Sequence, residues 1–405
     1  MGKLIGSVNP KALRELTINV TGEEIKSQLD NVARVYQKKA RIQGFRPGKA
    51  PLDIVKTVFQ KEIFEDAQDE AVRIKVLEEI KAKKEEVVSE IYIKEKREEN
   101  DGLTVTVEYE AIPTFLFPNL SSIKVEKKIR RVSEIDVDDE IEKYQKKLGK
   151  LKPADRETKE GDFILVDYEE KENSKVVKKK QNLTLHVSSE SINPAILDRF
   201  LNKKKGDIVE LDFHDEEKEK DIKLIYRIKD VLELELPEAN DEFAKKLGFE
   251  SLEKMREEIR ESIIKENEKV SEDELEWKII EEIYSRTQFE LPRTLVEEKI
   301  TRIAQSFRYD PNNEEVRNSL RKLAEDLVKK EIILKNLIDQ EGFEVTDEEL
   351  SKHIQEKAKT YRLDPEKYKK ELERRGLLDN LKDEILRNKA MEFLKNSVRV
   401  EVIIE

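Results

Sequence analysis

Apolar residues in this chain recur at helical spacing in single narrow stripes, and that pattern limits what it can fold into. Val316, Leu320, Leu323 and Leu327 follow at intervals of four, three and four, and Leu334 and Leu337 continue the row. Leu252, Met255, Ile259 and Ile263 form a second such stripe, and Val296, Ile300, Ile303 and Phe307 a third. The residues between them are mostly Lys, Arg, Glu and Asp, so each helix has one face to bury and the rest to solvate. Charged residues make up 42% of the 405 and hydrophobic ones 37%. Helices of this kind do not close easily into one globule; they predict an elongated, all-helical body with arms. No stretch reaches the roughly 18 apolar residues of a membrane span.

The helical patterning occupies Pro237 to Asn396 almost without interruption. Leu291-Pro292, Asp364-Pro365 and Thr346-Asp347-Glu348-Glu349 read as helix starts, Gly376 as a stop, and the alternation from Val398 to Ile404 as a closing strand. The N-terminal part is patterned differently. Leu16, Ile18 and Val20 alternate with polar residues, as in a strand. Thr21-Gly22-Glu23-Glu24 is a capping box, and Ile25, Leu29, Val32, Tyr36 and Ala40 form the stripe of the helix it starts. A second helix opens after Pro51 with Leu52, Val55, Phe59 and Ile63 and runs towards Ile80. Two strands follow, around 87–96 and 103–111, joined at Asn100-Asp101-Gly102.

The prolines of Ile112-Pro113-Thr114-Phe115-Leu116-Phe117-Pro118 mark a boundary. Beyond it, 121–131 reads as a strand, and a helix from about Asp136 carries Ile141, Tyr144, Leu148 and Leu151 on one face. Strand patterns then recur at 163–168, 183–187, 208–213 and 222–236, with one short helix near Pro194. The chain thus reads as an α+β multidomain protein. Its parts are an N-terminal α+β domain (1–111), a linker with the first part of the helical body (112–151), a small β-rich domain (152–236) and the helical body (237–405).

Composition removes several classes of chemistry. The chain has no cysteine, hence no thiol nucleophile, disulfide or Cys-bearing zinc site. Its three histidines, His186, His214 and His353, lack the spacing of metal ligands. No G-x-x-x-x-G-K-[ST] phosphate loop occurs, and no cofactor or metal is expected. Met1–Gly6 lacks the long apolar run of a signal peptide, so the expectation is a cytoplasmic protein with no membrane partner. Three Met, no Cys and a Glu/Lys-rich surface suit a thermophile's ion-pair networks, with a melting midpoint above about 65 °C.

The densest information lies between the first two helices, in Gly44-Phe45-Arg46-Pro47-Gly48-Lys49-Ala50-Pro51. Two glycines open backbone angles closed to other residues, while two prolines stiffen the same loop. Between Asn31 and Lys56 there are seven basic residues (Arg34, Lys38, Lys39, Arg41, Arg46, Lys49, Lys56) and one acidic, Asp53, in a chain whose net charge is −12. Such local asymmetry predicts a polyanion-facing surface, with phosphate contacts supplying affinity without sequence reading. Phe45 adds an apolar or stacking anchor. A surface turn that is basic by accident is the alternative.

This loop resembles the ribosome-binding signature of bacterial trigger factors, G-F-R-x-G-x-x-P, with Gly44, Phe45, Arg46, Gly48 and Pro51 at its fixed positions. Pro47 stands at a variable position that is often basic in that family. The order of domains is similar to the family's over essentially the whole chain. The resemblance implies docking on the large ribosomal subunit at the exit tunnel, where Phe45, Arg46 and Pro47 meet a ribosomal protein and ribosomal RNA. Arg41 and Lys49 would support the contact. It also implies an ATP-independent chaperone for nascent and unfolded polypeptides, active in folding, export and cell division, and a weak homodimer off the ribosome.

Residues 158–236 resemble the FKBP-type peptidyl-prolyl isomerase domain of that family. The matching pieces are Gly161-Asp162-Phe163, Val166-Asp167-Tyr168, Ile192-Asn193-Pro194-Ala195, Lys205-Gly206-Asp207, Leu211-Asp212-Phe213 and the last strand through Tyr226. Isomerisation needs no nucleophile, only a dry aromatic pocket that lowers a barrier of about 18–20 kcal/mol around a twisted X–Pro bond. The candidate pocket is Tyr168, Ile192, Phe200, Phe213 and Tyr226. Asn193 and Ala195 depart from the family's Ile-Pro-Gly, and the run His214–Lys220 replaces its Tyr- and Gly-bearing loop. Ordinary core packing explains each aromatic as well. A proline isomerase with secondary chaperone action, and an RNA-binding structural protein, therefore stay open beside the chaperone.

Overall fold

Strand β1 (Leu13–Thr21) takes up the first alternation: Leu16, Ile18 and Val20 are buried and their neighbours exposed. The computed structural model describes residues 8–99, 101–172, 175–215 and 220–405. The segment Met1–Gly6, Asn100 of the turn and 216–219 of the run after His214, all read above, lie outside them. Thr21 caps helix α1 (Gly22–Lys39) as expected, its hydroxyl accepting from the Glu24 N–H while the Glu24 carboxylate accepts from the Thr21 N–H. Ile25 and Ala33 are the buried residues of α1, with Leu29, Val32 and Tyr36 half-buried. Ala40, read as the end of the stripe, is an extended C-cap beyond the helix.

The single second helix read from the sequence is two helices, α2 (Leu52–Val58) and α3 (Gln60–Lys83). Phe59 leaves helical geometry between them, at φ −115° and ψ 34°. Strands β2 (Tyr92–Glu99) and β3 (Gly102–Glu110) complete an antiparallel sheet of order β1-β3-β2. The earlier part of the strand read at 87–96 makes only an isolated bridge, Val87 to Ala111. Gly102 has φ +155°, and a Cβ there would lie 2.2 Å from the Val20 carbonyl oxygen, so the turn requires glycine. Strand β4 (Lys124–Ile129) follows the two-proline segment.

Packing divides the chain into two compact units: residues up to Lys128 with Ser271–Ile403, and Ile129–Val270 with Ile404–Glu405. In the second, a capping box at Ser133 and Asp136 starts α4 (Glu134–Leu148). Leu151, read on the stripe of that helix, instead stands exposed in β5 (Lys150–Pro153). Strands β6 (Phe163–Glu172) and β7 (Lys175–His186), helix α5 (Pro194–Leu197), and strands β8 (Ile208–Asp215) and β9 (Lys220–Glu235) form the β-rich part. The sheet order is β5-β9-β6-β7, with β8 also paired to β9. Helix α6 (Asp241–Lys246) and the start of α7 (Leu252–Thr287) bury Phe243, Ala244, Met255 and Ile259 against Val137 and Ile141.

The first unit resumes within α7 and continues as α8 (Arg293–Ser306), α9 (Glu314–Glu341), α10 (Asp347–Thr360), α11 (Pro365–Arg375) and α12 (Leu378–Ser397). Strand β10 (Arg399–Ile404) pairs with β4. The helical core gathers Ile279, Ile283, Phe289, Ile300, Val328, Ile333 and Leu394, and takes Phe115 from the two-proline segment. Two stripe residues stand exposed: Leu323 at 44% and Phe307 at 62%. Along α9, Leu334 and Leu337 of the leucine row are buried as expected, joined by Ala324, Val328, Ile332 and Ile333, which that row does not contain. Alanine lets a neighbouring helix come close, and a count of large apolar residues passes over it.

Thr346 and Glu349 form the capping box of α10, and the Glu349 carboxylate also takes Lys389 of α12 at 2.8 Å. The Lys389 hydrogen bond, then that from the Thr346 N–H, holds Glu349 at a pKa of about 2, below its ordinary 4.5. A carboxyl whose pKa is depressed by folding stabilises the fold above its unfolded value and loses that contribution as pH falls through its folded one. Amide protection in the first turn of α10 should therefore fade between about pH 4.5 and 2, which hydrogen exchange will read.

Candidate functional site

The basic loop is built by the two helices that flank it. Tyr36, Ile42, Leu52 and Phe59 pack around buried Ala33, Ala50, Val55 and Ile63, a small core joined to the one under the sheet through Leu29 and Val32. The Tyr36 and Phe59 rings lie 5.5 Å apart, and the Tyr36 hydroxyl donates to Asp66 at 2.8 Å. Gln37 Nε2 donates to the Ala50 carbonyl at 2.6 Å, tying the loop's return to α1. Phe59, which breaks the helix, is thus also a support of the loop.

From this floor the loop projects. Two short turns, Phe45 N–H to Ile42 O and Lys49 N–H to Arg46 O, fold it. Gly44 (φ +89°) and Gly48 (φ +79°) lie in the left-handed region, with no atom within 4 Å of a Cβ at either. Their requirement is backbone angle, not space. Arg41, Phe45, Arg46, Pro47, Lys49 and Pro51 are all exposed, and Phe45, at 38%, presents a ring with no aromatic partner among the described residues. Lys56 pairs with Asp30, but Arg34, Lys38, Lys39, Arg41, Arg46 and Lys49 have no ion-pair partner among the described residues. Unneutralised cations around an exposed ring leave a surface ready for anionic and apolar contact at once. All the loop positions read from the sequence thus share one projection. Ala33 and Gln37, which hold it, went unread, as did the burial of Ala50 within the loop: Ala33 does complete the α1 stripe four after Leu29, whereas nothing local marks Gln37.

Two models of one family match the chain. The model described as bacterial trigger factor protein covers residues 7–144, and the one described as its C-terminus covers residues 251–396. The chain belongs to the bacterial trigger factor family. A trigger factor of Aquifex aeolicus (strain VF5) is 27% identical over 422 residues, with 98% of this chain and 87% of the relative covered. One of Corynebacterium jeikeium (strain K411) is 28% identical over 412 residues, covering 93% and 76%. A solved structure of the trigger factor chaperone is 23% identical and spans 98% of this chain and 99% of its own, at a TM-score of 0.48.

In the β-rich part of this chain, three of the five candidate pocket residues come together. The Tyr226 ring lies 5.1 Å from Tyr168 and 5.3 Å, edge-on, from Phe200. Ile192 is half-buried against the apolar core that contains Phe200, whereas Phe213 is 44% exposed. The Tyr168 hydroxyl donates to Glu170 at 2.7 Å; burial, then this carboxylate, pushes its pKa well up, and burial does the same for Tyr226. Both phenols are neutral near pH 7. Phe163 stacks instead on His186, at 4.4 Å.

The helical body carries a cleft of about 1040 Å³, with Leu275, Trp277, Leu327, Leu334 and Met391 among its lining residues. Lys127 with Glu272, and Lys330 with Glu276, pair along it, and Lys330 also lies over the Trp277 ring at 5.2 Å. Among the described residues no group of His, Cys, Asp and Glu could hold a metal, and no helix is long and apolar enough to cross a membrane.

Proposed function

We infer that this chain is an ATP-independent, ribosome-associated chaperone that binds nascent and newly made polypeptides and keeps them open. The observation that carries this is the projecting Gly44–Pro51 loop, with its exposed Phe45 and unneutralised cations, in a member of the trigger factor family. In this reading Phe45, Arg46 and Pro47 meet the large ribosomal subunit, protein and rRNA alike, with Gly44, Gly48 and Pro51 shaping the tip and Arg41 and Lys49 adding phosphate contacts. Residues 1–111 serve as the docking domain, 112–151 as linker and first part of the body, 152–236 as the isomerase-like domain and 237–405 as the chaperone body. The setting is the cytoplasm, and a weak homodimer forms off the ribosome, which sedimentation equilibrium will test.

Two measurements test the reading together. The intact chain should pellet with large ribosomal subunits, and without ATP or ribosomes it should suppress aggregation of an unfolded client. Failure of the first would leave a chaperone without a ribosome; failure of the second would favour a structural RNA-binding protein. The client surface is assigned to the body cleft, whose weak mixed lining suits release without fuel. Trp277 is the chain's one tryptophan, so its emission should shift as an unfolded client is added.

A second reading, peptidyl-prolyl isomerase, is favoured by the clustered rings of Tyr168, Phe200 and Tyr226. With Phe213 open to solvent, the site excludes water poorly, and desolvation of the imide is what the chemistry needs. Rates on an X-Pro peptide, read by a protease-coupled assay, are expected to lie close to background. A large acceleration would restore the enzyme as the primary function.

A further inference from the structure

The N-terminal module and the helical body keep separate cores. The cluster under the sheet draws only on residues from Leu16 to Ala111, and the body cluster on none before Ile112. What joins them across their seam is polar. Helix α8 follows Pro292, an N-cap that offers no side-chain hydrogen bond, so the N–H groups of Arg293 and Thr294 need an outside acceptor. Glu110, at the end of β3, supplies it: its two carboxylate oxygens accept from Arg293 N (3.0 Å) and Thr294 N (2.8 Å). The reciprocal contact comes from the body. Glu290 Oε2 accepts from Ala12 N at 3.1 Å, and Glu290 N donates to the Pro10 carbonyl at 2.8 Å. Lys335 of α9 adds an ion pair to Glu86 at 2.8 Å. Meanwhile Asn336 and Gln340 hold the connecting segment to the body through the carbonyls of Pro113 and Phe115.

We propose that Glu110 and Glu290 are a two-carboxylate latch that seats the N-terminal module on the helical body, and that the seam opens without disturbing either core. Each side lends the other a carboxylate for backbone N–H groups, bonds stronger than neutral ones yet satisfiable by water once the seam parts. No shared apolar cluster has to be exposed, so the seated state is held chiefly by these contacts. The bound Asn336 and Gln340 leave the module tethered when the latch is open.

The absence of cysteine makes the test direct, because two introduced thiols are the only ones to label. Lys26 on α1 and Lys322 on α9 are exposed and suit dyes for single-molecule energy transfer. In K26C/K322C one transfer efficiency should dominate. Adding E110A/E290A should raise the population of a second, shifted state by roughly tenfold or more, with E110Q/E290Q in between. Hydrogen exchange of the β1 and β3 amides should stay as protected as in the parent. An unchanged histogram overturns the proposal, as does a parent already divided between two states. Loss of β1 and β3 protection in the variant also overturns it, since the carboxylates would then serve folding rather than seating.

Discussion

Replacing Phe45, Arg46 and Gly48 together with alanine should weaken ribosome association by about a hundredfold or more while leaving the fold intact. Buried aromatic and arginine anchors each contribute of the order of 2 kcal/mol at interfaces, and here both project from the same turn. Alanine at Gly48 adds a penalty of roughly 1–2 kcal/mol for a left-handed residue bearing a Cβ, at φ +79°. Neither Phe45 nor Arg46 belongs to the floor of Ala33, Ala50, Val55 and Ile63, so amide protection around that floor should change little. The readout is the fraction of chain that pellets with large subunits at fixed concentration. Unchanged pelleting would remove the loop from the docking surface.

Salt separates the two halves of that contact. If Arg41 and Lys49 touch phosphate, R41A/K49A should flatten the dependence of log K on log salt by about two. F45A should lower affinity at every salt concentration and leave the slope alone, because a ring releases no counterion. A variant with the same slope as the parent would assign those two cations to solvation.

Where structure depends on residues within a few positions of each other, the sequence reading anticipates it. Thr21 with Glu24, Thr346 with Glu349, Pro365 and the left-handed Gly376 start and end helices where their chemistry says they should. The Gly44–Pro51 loop is legible for the same reason: its glycines, prolines and cations lie within eight residues. Phe59 marks the limit, since its break in the helix involves neither glycine nor proline and falls where its ring meets Tyr36. Distant pairings left no local trace. Glu110 caps a helix 183 positions away, and Asn336 reaches Pro113 across 223. Phe115 reads as part of a boundary yet is buried in the helical core, because prolines announce a turn but not the destination of what lies between them. The aromatics at 168, 200 and 226 could be grouped by analogy, whereas the exposure of Phe213 depends on strand register.

Phe289→Ala should be among the most damaging single substitutions in the helical body, at about 3–5 kcal/mol. Phe289 is 1% exposed, stacked on Phe115 at 4.8 Å with the rings 2° from parallel, and met edge-on by Tyr284 at 5.0 Å. Truncation removes the transfer energy of the ring and also both aromatic contacts, in a place where α7 ends and α8 has yet to begin. Leucine at the same site keeps most of the volume and should cost far less. Phe307→Ala is the control: at 62% exposure the same chemical change should stay within about 0.5 kcal/mol. Because the chain packs as two units, a single unfolding midpoint will not describe it, and the effect should be sought by residue-resolved exchange. Amides of α7 to α9 near Ile283, Ile300 and Val328 should lose protection in F289A, while those of the β6–β9 sheet keep theirs. Equal loss in both would mean the two units unfold as one, and that Phe289 stabilises more than the core it occupies.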